Sequence, residues 1–213
     1  MLLTLCRFIT LYYIKIMKKY TCVLFFLLIF HLSAICQNKQ QLLGLRLTSA
    51  VSNFSNNSLS NRYQARGLSY ELGITTQIQR PNKIGLNGEV SFSRKNVKDD
   101  YFDYALNYFV FGIMPNYYIE KTKSTIYIGE YIALLSSYKV INAFPRGGDQ
   151  FYQFDTGITL GINQKIMRIS DFQMSIDARF NRGFISIRDA TWQGKTKNYG
   201  YCLGVIISRV RTR

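Results

Sequence analysis

Strict alternation of apolar and polar residues, repeated segment after segment, limits what this chain can fold into more than any other feature. In DFQMSIDARFNRGF, from Asp171 to Phe184, Phe172, Met174, Ile176, Ala178 and Phe180 share one parity. Gln173, Ser175, Asp177, Arg179 and Asn181 share the other. Successive side chains of a β-strand point to opposite faces, so such a segment has one apolar and one polar face. Leu43, Leu45, Leu47 and Val51 repeat the pattern against Gly44, Arg46, Thr48 and Ser52. So do Leu68 to Ile78 against Ser69, Glu71, Gly73 and Gln77, and Ile84 to Phe92 against Asn87, Glu89 and Ser91. Phe154 to Ile162 alternate with Asp155, Gly157, Thr159 and Gly161, and Tyr199 to Ile207 with Asn198, Gly200, Cys202 and Gly204. Two segments are less regular. Tyr104–Ile119 is apolar on both parities, with Phe109, Phe111 and Ile113 facing one way; in Ser124–Tyr138, Ile126, Ile128, Ile132 and Leu134 compete with Tyr127, Tyr131 and Leu135. No stretch after Gln37 has a helical period, so the expectation is eight strands and an all-β fold.

The alternation alone does not say which face looks inward. Connections sort by length: QRPNK (79–83), EKTKS (120–124) and MRISD (167–171) are short. Those at Ser55–Ala65, Val97–Asp103, Lys139–Gln153 and Ile185–Lys197 are longer. Short turns on one rim and long loops on the other suit an up-and-down membrane barrel. The polar face mixes Gly with charges and amides: Arg46, Glu71, Asn87, Glu89, Asp155, Asn163, Asp177, Arg179 and Asn181. A narrow interior needs small residues for room and charges that pair with each other, whereas a solvated sheet face has little use for repeated Gly. The apolar face carries aliphatic and Phe residues, with Tyr117, Tyr118, Tyr127, Tyr199 and Tyr201 expected in interfacial girdles. The chain is therefore expected to form an eight-stranded antiparallel up-and-down transmembrane β-barrel. The alternative is a soluble lipocalin-like ligand-binding barrel.

The first 36 residues differ in kind. Lys18 and Lys19, the apolar run Val23–Phe30 and the small residues Ala34 and Cys36 at −3 and −1 of a cleavage site read as a cleavable signal peptide with Met17 as the start, the alternatives being a transmembrane anchor or a lipid anchor at Cys36. Residues 37–213 are then the barrel domain, exported to the outer membrane of a Gram-negative bacterium. Formal net charge is +15, from 27 Lys+Arg against 12 Asp+Glu. So basic a balance raises nucleic acid and anionic membrane surfaces as partners. With no basic helix, zinc-ligand spacing or aromatic RNA-binding motif, no nucleic-acid partner is expected. Cys6, Cys22 and Cys36 lie in the leader, so Cys202 stands without a disulfide partner in the barrel segment.

Over nearly all of Leu42–Arg209 the chain resembles the outer-membrane β-barrel domain proteins of the Bacteroidetes known as the PorT family. The resemblance rests on GLRLTSAVSNFS, LNYFVFGIMPNYYI, STIYIGEYIALL, the pair FDTGITLGIN and MSIDARFNRGF, and the closing YGYCLGVIIS. Val110 and Gly112 stand where the family commonly has Glu and Pro, and the chain ends RVRTR rather than on an aromatic residue. The resemblance implies outer-membrane lipids and barrel-assembly machinery as partners. For some relatives it implies a role in the secretion machinery of that phylum.

Enzymatic chemistry has little footing. The one histidine, His31, lies in the leader, which removes the imidazole that Ser-His acyl transfer and His-ligated metal sites need. Glu71, Glu89, Glu130, Asp155 and Asp177 are candidates for a carboxylate pair in the lumen, and acids beside arginines there read as a structural plug. No enzyme, cofactor or metal is expected. The lumen network comprises Arg46, Glu71, Glu89, Asp155, Asp177 and Arg179. Function would sit in the barrel itself or in its outer loops. There Arg146, Asp149, Phe151, Tyr152 and Trp192 are candidate contacts to a protein, glycan or lipid headgroup.

Overall fold

The computed structural model describes residues 40–56, 66–79, 83–98, 102–143, 150–189 and 196–212. The segment read as a leader lies outside the described residues, as do Arg146, Asp149 and Trp192. In chain order the strands are β1 (Gln40–Asn56), β2 (Arg66–Gln79), β3 (Ile84–Lys98), β4 (Phe102–Ile119) and β5 (Ser124–Ala143). The two-residue β6 (Gln150–Phe151) follows, then β7 (Phe154–Ile169), β8 (Phe172–Gly183), the two-residue β9 (Arg188–Asp189) and β10 (Thr196–Thr212).

The eight long strands pair antiparallel in the order β1-β2-β3-β4-β5-β7-β8-β10, and β10 pairs back onto β1. That closing seam is long, running from Gln40↔Thr212 to Asn56↔Thr196. Closure gives every long strand a neighbour on both sides, which is what a sheet in hydrocarbon requires, although the β5–β7 ladder ends at Leu134↔Phe154 and the last residues of β5 are laddered to β4 alone. β6 and β9 pair only briefly, Phe151 with Arg188, above the long-loop rim.

Loop sorting holds, with one revision. β7 gives way to β8 through Ser170 and Asp171 alone, and the other two short turns precede Ile84 and Ser124. Each of the three places a non-glycine residue in the left-handed region: Lys83 (φ 70°), Lys123 (φ 54°) and Ser170 (φ 53°). The expected longer connection Val97–Asp103 instead shrinks to residues 99–101, because the β3–β4 ladder continues to Lys98↔Asp103. Its reason is burial: Val97 and Tyr104 pair across the two strands and are each 1% exposed.

The apolar parity points outward: Leu45 is 63% exposed, Leu72 57%, Leu160 49% and Leu203 62%. The polar parity is buried inside the barrel, an inversion of the soluble pattern. β4 sends Phe109 and Ile113 outward and Leu106, Tyr108 and Met114 inward. β5, ambiguous in sequence, places Ile126, Ile128, Ile132 and Leu134 outside and Tyr127, Tyr131 and Ala133 inside. Tyr127 therefore does not belong to an interfacial girdle, while Tyr117 and Tyr201 do lie exposed on the outer surface.

Toward the long-loop rim the interior turns apolar. Val97, Tyr104, Leu106, Tyr108, Ala133, Phe151 and Ile187 pack together, with Tyr131 at their lower edge. The Phe151 ring meets Tyr104 edge-on at 5.1 Å and Tyr138 at 5.3 Å. Burying such rings offsets the ordering of the long connections that carry Phe151 and Ile187.

Candidate functional site

The lumen holds the charged residues that the alternation pointed to, on five strands. Arg46 (β1), Glu71 (β2), Glu89 (β3) and Arg179 (β8) form one cross-lumen layer. Arg46 Nη2 donates to Glu71 Oε1 at 2.9 Å and also pairs with Glu89. Arg179 Nη1 donates to both oxygens of Glu89, at 3.2 and 3.1 Å, and Nη2 donates to Glu71. Each arginine thus touches both glutamates, and each glutamate both arginines. A carboxylate or guanidinium taken out of water is costly unless its partners are complete, and this alternating ring supplies them. β1, β2 and β3 are neighbours, whereas β8 arrives from the other side of the seam, so the layer ties one wall of the barrel to another.

Two further acids flank this layer, and both are met by a tyrosine of β5. Tyr127 donates through its hydroxyl to Asp177 Oδ1 at 2.6 Å, and Tyr131 to Asp155 Oδ2 at 3.3 Å. Each tyrosine passes over a glycine on β7: Tyr127 faces Gly161 and Tyr131 faces Gly157 in the ladder. A Cβ at Gly157 would lie 2.7 Å from the Tyr131 ring, and one at Gly161 would collide with the Tyr127 ring. Glycine is used here for close approach, since any side chain would meet the ring, and at Gly157 the Arg182 carbonyl as well. Asp155, fully buried, also accepts from Asn198 Nδ2 at 2.8 Å and lies 3.8 Å from Lys95 Nζ. The Lys95 ammonium sits 4.9 Å from the centre of the Tyr108 ring, a cation–π contact at the border with the apolar cap.

Small cavities of about 30 and 20 Å3 lie on either side of the charged layer. Arg46, Asp177, Tyr127 and Gln77 line the first, toward the turn rim. Glu71, Glu89, Lys95 and Arg179 line the second. Each has room for about one or two waters, and the charged layer and Met114 separate them.

All six residues assigned to the lumen network are buried there. Alternation did not single out Lys95, Tyr127, Tyr131 and Asn198 as members. Lys95 continues the Glu89–Ser91–Ser93 parity. The tyrosines answer Gly157 and Gly161, a pairing legible only with the register. Glu130, grouped in sequence with the lumen acids, lies outside the barrel, on the parity of Ile128 and Ile132. Cys202 is buried and accepts a contact from Asn181 Nδ2 at 3.6 Å. Of the loop candidates, Phe151 is buried in the cap rather than offered outward, and Tyr152 is 47% exposed.

The fold is that of eight-stranded outer-membrane barrels. The crystal structure of the outer membrane protein OprG from Pseudomonas aeruginosa aligns with a TM-score of 0.55 at 12% identity, covering 83% of this chain and 97% of that one. Neisserial surface protein A aligns with a TM-score of 0.51 at 15% identity, over 78% of this chain and 96% of the other. No family model and no curated protein matches the sequence.

Proposed function

We propose that the protein is a non-enzymatic integral outer-membrane barrel with a closed lumen, acting as a structural element or through its long-loop rim. One observation carries this reading. The ring of Arg46, Glu71, Arg179 and Glu89 crosses the interior with each charge doubly paired, while the outer wall is apolar. An interior built as a permeation path keeps charges facing open water, whereas these are spent on one another. A soluble ligand-binding barrel would need the opposite distribution, with its apolar face inside. The outer-membrane fold of OprG and Neisserial surface protein A supports the location.

The test is reconstitution of purified protein into liposomes and planar bilayers. A closed barrel gives membrane insertion and a compact, heat-modifiable gel band, with no steady conductance and no uptake of small sugars. A stable open conductance would refute the closed lumen. Recovery in the soluble fraction without detergent would refute the membrane assignment.

The resemblance to PorT-like proteins supports a narrower form of the same reading, in which the barrel is an accessory of the phylum's secretion machinery. Copurification of secretion components with the detergent-extracted protein tests it, and their absence from a crosslinked preparation counts against it.

A further inference from the structure

Glu130 is an exception on the outer wall. It is exposed, lies between Ile128 and Ile132 along β5, and is in register with Ile113 on β4 and Ile158 on β7. All four neighbours are apolar, and Ile113, Ile128 and Ile132 are 37%, 49% and 44% exposed. Neither Glu130 nor the exposed Arg182 on β8 has an ion-pair partner among the described residues. An ionisable side chain among lipid-facing isoleucines is expensive, and inside a membrane such groups pair with one another.

The partner's chemistry is written on the same wall. Arg182 pairs in register with Ile158, which pairs in register with Glu130. The row therefore reads acid, isoleucine, base, with the two charges roughly 10 Å apart, two inter-strand spacings. Such a row is complementary to itself. A two-fold axis along the membrane normal, passing beside Ile158, brings Glu130 of each copy to the same side as Arg182 of the other, offset along the normal by roughly 6 Å from the strand tilt, a gap that the long arginine side chain spans. Two-fold interfaces have this form: residue i meets j, and j meets i.

We propose that this wall, centred on Ile158, is the interface of a two-fold homodimer in the membrane, held by two reciprocal Glu130–Arg182 pairs. The inference rests on the membrane reading above. Two ion pairs replace four unpaired charges, and the surrounding isoleucines pack against their counterparts.

The test uses the full chain in its native membrane. In a Cys202→Ser background, Ile158→Cys should give a disulfide-linked species of twice the chain mass. The same background without a new cysteine, and one with Leu72→Cys on the opposite wall, should not. Glu130→Gln should reduce the Ile158→Cys crosslink several-fold. Charge reversal separates pairing between copies from pairing within one. Glu130→Arg and Arg182→Glu should each abolish crosslinking when expressed alone. Coexpressing the two chains should restore it, because only the mixed dimer has opposite charges at both contacts. Failure of coexpression to restore the crosslink would overturn the proposal, as would equal crosslinking at Leu72 or an adduct of any mass other than twice the chain. Membrane recovery and the heat-modifiable band are scored on every variant. A folded, membrane-bound chain that never crosslinks refutes the dimer alone, and loss of the unsubstituted chain from the membrane refutes the prior reading. Should Glu130→Arg fail to insert, Glu130→Gln combined with Arg182→Gln keeps the question decidable: undiminished crosslinking there refutes the reciprocal pairs.

Discussion

Tyr127 lies over Gly161 and donates a hydrogen bond through its hydroxyl to Asp177, 2.6 Å away, so three strands meet through one side chain. Four residues along β5, Tyr131 repeats the arrangement over Gly157 toward Asp155. Gly161→Ala should therefore do more than add a methyl: it should displace the ring and strand Asp177 without its donor. The expected cost is about 1–3 kcal/mol, read as a lower temperature at which the unboiled protein loses its compact gel form. Gly88→Ala is the control, since its Cβ would meet only the Thr76 methyl, at 3.1 Å.

Removing one member of the charged ring should be far worse than removing all of it. Arg179→Ala leaves Glu71 and Glu89 each half-paired inside the barrel, at an expected cost of about 3–5 kcal/mol. Replacing Arg46, Glu71, Glu89 and Arg179 together with Met or Leu should recover most of that loss. Urea unfolding in detergent micelles or bilayers measures both.

Lipid contact predicts a gradient along the outer wall. Leu203→Arg, near the middle of β10, should cost about 2–4 kcal/mol in bilayers, and Phe172→Arg, at the turn rim, about 0–1 kcal/mol. Equal effects at the two positions would contradict a membrane-spanning wall.

The left-handed turn residues offer a small gain. Lys123→Gly removes the Cβ penalty at φ 54°, partly offset by greater freedom of the unfolded chain. The expected result is up to about 1 kcal/mol of added stability, seen as a higher unfolding midpoint.

Most of the fold was legible because a strand's two faces follow from parity alone. In Phe172–Gly183 every residue from Phe172 to Phe180 points as its parity dictates, outward at Phe172 and Ile176 and inward at Asp177 and Arg179. Parity fails where both faces are apolar. β5 buries Tyr127 and Tyr131 because Gly161 and Gly157 make room opposite them, and that information resides on another strand. β3 and β4 extend past their expected ends because Val97 and Tyr104 join a core built partly from Phe151 and Ile187, distant in sequence. Glu130 misled for the converse reason: its charge suggested the interior, while its parity, shared with Ile128 and Ile132, placed it outside.

The seam that pairs Gln40 with Thr212 follows from an even number of long strands, each reversing the one before. The first and last strands must then open onto one rim, shared with the short turns, and the long connections onto the other. An epitope inserted at 57–65 and one appended after Arg213 would consequently report from opposite compartments. A protease confined to one side would cleave the first and spare the second, or the reverse, in every intact cell.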